Sequence, residues 1–281
     1  MAATESVTIN TLPGNGAGSG HAHFGRLLVA EWTKLRSVRS TYWSLITVVL
    51  AFPFFSWLIP FLIAHNWNQA DPGSRAQVLQ DPVSTIIGVG IDLGQFGIAV
   101  LGVLVMASEY STGMIRSTVL ASPRRVRMLA AKSVVFTLLA LVIGEIVSFV
   151  AFFIGQLTFK SVLTVNLGAG TNLREVVGAG LYLGMLALFS MVIGALIRHP
   201  AGAITGVVLL LLVISNIIQL IPGAAGKYLY SYEPTNAGAA ILTNHTSDKF
   251  LLTAWEGYAV FAGWTALLWV LAAWLLVRRD A

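Results

Sequence analysis

The chain has 281 residues, 56% of them hydrophobic and only 10% charged, with a formal net charge of +5 and a mean hydropathy of +0.79. Soluble domains are about 25% charged, and apolar runs near the roughly 20 residues that cross a bilayer as helix recur along the chain, so a soluble globular domain is excluded in favour of an integral membrane protein. The absence of cysteine rules out disulfides and thiolate chemistry, and anchoring at a membrane surface accounts for the basic excess without any nucleic-acid partner.

Residues 1–23 read as a disordered tail. Met1 to Gly20 carries one charge, Glu5, and no apolar core, so it is not a signal peptide. Its "GNGAGSG" lacks the third glycine of a dinucleotide-binding turn and has no strand before it. Residues 24–41 predict an amphipathic interfacial helix, with Phe24, Leu27, Leu28, Trp32, Leu35 and Val38 on one side and its cations Arg26 and Arg36 elsewhere. Glu31 falls inside that apolar stripe. It either pairs with Lys34 three residues on or meets another segment of protein at the membrane surface.

The rest of the chain, 42–281, predicts six transmembrane helices, at about 42–64, 85–107, 133–157, 175–197, 201–221 and 257–277. No span alternates as a membrane barrel strand would. "RHP" alone joins the fourth and fifth spans, a tight hairpin with Pro200 suited to a first helical turn. With the N-terminus inside, twelve of the seventeen basic residues fall on the inner side, so both termini are expected in the cytoplasm. The first outer loop, 65–84, is polar and turn-rich. The longest, 222–256, carries enough Tyr, Trp and apolar residues to predict short interfacial helices.

Ionisable and amide side chains within spans are costly and therefore informative. Asp92 in the second span, Glu145 in the third, and Asn216 and Gln219 one turn apart in the fifth are candidates for a substrate pathway or a dimer interface. Helix–helix hydrogen bonding is the plainer explanation. Gly88, Gly90, Gly94 and Gly97 in the second span suit close helix packing.

Between the second and third spans, 108–132 reads "SEYSTGMIRSTVLASPRRVRMLAAK". A purely topological loop needs only a few cations, whereas this one sets a carboxylate, an aromatic, a Thr-Gly pair and an arginine in compact order, with Pro123 breaking the local helix. That order resembles the permease subunits of ABC-2 type exporters (type V exporter-like). "RLLVAEWTKLRSVRSTYW" resembles the connecting helix of the same family, and "IGALIRHPAGAI" its turn between the fourth and fifth spans. The Thr-Gly order replaces the Gly-Thr of many relatives.

The resemblance implies an all-α membrane fold in which the loop is a coupling helix gripped by a separate ATPase. Glu109, Tyr110, Thr112, Gly113, Ile115 and Arg116 would make that contact, while Glu31, Lys34, Arg36, Arg124 and Arg125 would lie at the membrane surface. It further implies a bacterial plasma-membrane exporter of a hydrophobic or amphipathic compound (drug, peptide or lipid-like). Two ATPase copies and a second permease, identical or related, would be its partners, along with membrane lipid.

No G-x-x-x-x-G-K-[ST] occurs, so ATP and Mg belong on the partner chain and this chain binds no cofactor. Its five histidines form no H-E-x-x-H, and there is no G-x-S-x-G, so no catalytic or metal residues are assigned and the chain is not expected to be an enzyme. The alternatives are an ATP-independent transporter or channel working through Glu145, and a membrane anchor that recruits a cytosolic partner through the same loop.

Overall fold

The computed structural model describes residues 24–114, 125–244 and 251–278. The proposed tail 1–23, and Ile115, Arg116 and Arg124 of the loop, lie outside the described residues. Those described are helical or irregular, with no strand among them.

Helix α1 (Phe24–Ser37) is followed after one residue by α2 (Arg39–His65), a 3-10 turn and a short α3 (Pro72–Gln80). Then come α4 (Pro82–Ser111), α5 (Arg125–Phe159) and α6 (Asn172–Ile197). The fifth span is composite: α7 (Pro200–Val208), a π-helical segment (Leu209–Ile214) and α8 (Ser215–Gln219). Two short helices, α9 (Gly223–Tyr232) and α10 (Pro234–Ala239), precede the last helix, α11 (Ala254–Arg278). Six of these helical stretches are long and apolar enough to cross a membrane. They agree with the six expected spans, extending most beyond them where α5 starts at Arg125. Short helices, α9 and α10, also occur within 222–256, as expected.

The segment 65–84 holds more structure than its composition suggests. Asp71 accepts the Ser74 N–H at 2.9 Å and Pro72 occupies the first helical position, which is how an Asp-Pro pair starts a helix. Asp81-Pro82 starts α4 in the same way, with Ser84 N–H at 3.0 Å. His199-Pro200 starts α7, and Glu233-Pro234 starts α10.

The centre of the bundle is α6, the most enclosed span, flanked by α4 and α5, with α2 against both of these. Glycines set the approach. Gly90, Gly94 and Gly97 of α4 face Phe52, Ser56 and Val48 of α2, whereas Gly88 faces no neighbouring helix. A Cβ on Gly102 would sit 2.7 Å from the Ala187 carbonyl of α6. Here glycine lets two backbones touch, the mode by which membrane helices associate.

Candidate functional site

Two places gather polar side chains. The first lies where α1, α4 and α5 meet. Lys132, on the second turn of α5, is 3% exposed and donates to Glu31 Oε2 at 2.6 Å and to Glu109 Oε1 at 2.8 Å. Lys34 donates to Glu31 Oε1 at 3.0 Å and to Glu109 Oε1 at 3.2 Å. Two carboxylates and two ammonium groups close a neutral ring that staples α1 to α4 and α5. Burial favours the uncharged form of Lys34, but the carboxylates of Glu109 and Glu31 outweigh it and hold its pKa above the ordinary lysine value. Its ion-pair stabilisation is therefore complete at neutral pH and is lost only as pH rises through that raised, alkaline value.

Both expectations for Glu31 hold together: it pairs with Lys34 and also contacts another segment. Glu109 is turned inward, and its second oxygen is buried without a hydrogen-bond partner among the described residues.

The remaining loop positions continue outward. Tyr110 lies under the Arg198 guanidinium, 4.9 Å from ring centroid to Cζ. Thr112 caps α4 and is exposed, Gly113 has φ 73°, and Met114 is exposed. Arg36 is exposed. Arg125 donates to the Leu276 carbonyl at 2.9 Å, so it meets an end of α11 whose carbonyls lack intrahelical partners.

Arg198 itself has φ 61° at the α6–α7 turn, a conformation natural to glycine. Arg198→Ala should lower stability by about 0.5–1 kcal/mol through loss of the cation–π contact. Arg198→Gly should be near neutral, because relief of the left-handed backbone offsets that loss. Apparent unfolding midpoints of the two variants would measure the difference.

The second place is a cavity of about 470 Å³ between α4, the composite fifth span and α9–α10. Asp92, Asn216 and Gln219 all line it. Glu145 does not. Its side chain lies against Gly180 of α6, which has no Cβ to obstruct it.

Sequence reasoning missed the other polar walls. Tyr182 donates to Gln95 Oε1 at 2.7 Å, and both face the cavity. Ser215 ends the π segment, donating back to the Leu210 carbonyl at 3.2 Å and lying 3.4 Å from Glu233. Insertions of this kind often mark functional positions in helices. Glu233 sits behind the wall, caps α10 through Asn236 N–H at 2.7 Å and accepts from Thr235. Burial pushes its carboxyl above the ordinary value, while the hydrogen bonds from Asn236 and Thr235 pull it partly back. A Glu-Pro pair opening a helix was the available signal.

The described residues contain no group of three or more His, Cys, Asp or Glu suited to hold a metal ion. The chain matches no protein-family model and no curated protein.

Proposed function

We propose that this chain is the membrane-spanning subunit of an ATP-driven exporter of the ABC-2 class, working with a separate ATPase and a second permease copy at the bacterial plasma membrane. The observation that carries this reading is the buried ring of Glu31, Lys34, Glu109 and Lys132. It ties both ends of the 112–124 loop to α1 and to the span bundle. A partner gripping that loop would move α4, α5 and α1 as one body rather than bending the loop, and rigid-body movement is how such contacts transmit work. α4 runs unbroken from the ring to the wall of the cavity, giving a direct mechanical route to the cargo site.

An ATP-independent mechanism through Glu145 has less support, because that side chain stands against α6 and away from the cavity.

The test is co-purification with the ATPase encoded alongside it, followed by ATP hydrolysis in vesicles. Arg116→Glu and Thr112→Trp should weaken the complex and reduce coupled hydrolysis at least tenfold without lowering the permease melting point. A complex that never forms, or hydrolysis indifferent to both changes, would sink the proposal.

A further inference from the structure

The cavity's electrostatics select its occupant. Among the described residues, Asp92 is the only charged side chain lining it, and no lysine or arginine does. Among the described residues Asp92 makes no ion pair, whereas Glu31, Glu109 and Glu175 each do. The exposed Lys227 lines a separate, smaller pocket that shares Gln219 and Tyr230 with this one. Glu233 adds a second carboxyl just behind Ser215 and Thr235.

The other walls include the rings of Phe96, Tyr182 and Tyr230 and the amides of Gln95, Asn216 and Gln219, among aliphatic side chains. The volume, about 470 Å³, lies within the roughly 300–1,000 Å³ of sites for small organic ligands. A carboxylate at membrane depth is costly unless paired. The partner that answers it here is a positive charge carried on an apolar body, held by a charge-assisted hydrogen bond and by aromatic faces.

We propose that this cavity binds amphipathic organic monocations, protonated amines above all, with Asp92 as the counter-ion; this rests on reading the cavity as the cargo site. Anionic and uncharged amphipaths of the same shape are selected against, because they leave Asp92 unpaired.

The experiment needs no ATPase, so its outcome is separate from that of the export reading. Purified protein in phosphatidylcholine nanodiscs, free of anionic lipid, is titrated with dansylcadaverine and with its uncharged N-acetyl derivative, and binding is followed by dansyl fluorescence. Saturable binding of the amine is expected, at least tenfold tighter than the acetyl compound. Asp92→Asn should abolish that preference, Asp92→Glu retain it, and Asn216→Trp, which fills the cavity, remove binding of both, with melting points checking that each variant is folded. Equal binding of the two probes, or a preference that survives Asp92→Asn, overturns the cationic assignment while leaving the cavity as a ligand site. Failure of both probes to bind, or binding untouched by Asn216→Trp, overturns the cavity as well. Neither result bears on whether the ATPase docks.

Discussion

Lys132→Met is expected to destabilise the protein by about 3 kcal/mol, the lower part of the range for breaking a buried ion pair. The substitution keeps the apolar stem but leaves the carboxylates of Glu31 and Glu109, each 5% exposed, without their shortest contacts. Lys34 still reaches both carboxylates, at 3.0 and 3.2 Å, which is why the loss falls short of the full cost of two orphaned charges. The triple variant Glu31→Gln, Glu109→Gln, Lys132→Met removes the three buried charges and leaves only Lys34, whose side chain is 30% exposed and can be solvated. It should recover most of the loss, since a neutral replacement of a buried ion pair is often close to harmless.

The single variant should also release α1. Val38, the one residue between α1 and α2, should become cleavable by protease, while α4 and α5 remain protected. Apparent melting points and a proteolysis time course on the single and triple variants give the comparison. Equal stability of Lys132→Met and the unmodified protein would mean that the ring holds nothing together, and the mechanical argument for the loop would go with it.

The six spans were legible because hydropathy over a bilayer's width is a strong signal that needs no knowledge of neighbours. The conflict at Glu31, a carboxylate in an apolar stripe, was legible too, but not its resolution, because Lys132 lies 101 positions away and only tertiary contact joins them. The glycines of α4 announced close packing, yet which of them meet α2 depends on how the helices rotate. Asp92, Asn216 and Gln219 were each visible as polar residues in apolar surroundings, and the bundle brings them to one cavity. Glu145 met the same criterion but lies elsewhere. The π segment and the buried Glu233 had no periodic signature at all. One extra residue in a helical turn does not alter composition, and a capping carboxylate looks like any loop acid until its partners are in place.

Gly155→Ala is expected to lower stability by about 1–3 kcal/mol, the cost of overpacking, although alanine is the better helix former. The cause lies in α2. Pro60 has no N–H, so the Ser56 carbonyl one turn earlier lacks its helical donor, and the buried Ser56 hydroxyl has no partner among the described residues either. Gly155 of α5 packs its backbone directly onto that freed carbonyl, and the Ile86 side chain of α4 closes the same spot at 2.5 Å from where a Cβ would stand. The Cα–H of glycine partly replaces the missing donor, an interaction of about 0.5–1 kcal/mol, and no side chain fits in between. An added methyl must displace the Ser56 backbone, which has no rotamer with which to yield, as well as the Ile86 side chain. Gly263→Ala in α11 is the matched control, since nothing stands within 4 Å of its Cβ direction. That change should be neutral or stabilising by about 0.5–1 kcal/mol. Melting points of the two variants side by side separate packing from helix propensity. If Gly155→Ala rises with Gly263→Ala, the α2–α5 contact is loose and propensity governs. If the two move in opposite directions, the proline-freed carbonyl of Ser56 is what fixes where α5 can lie.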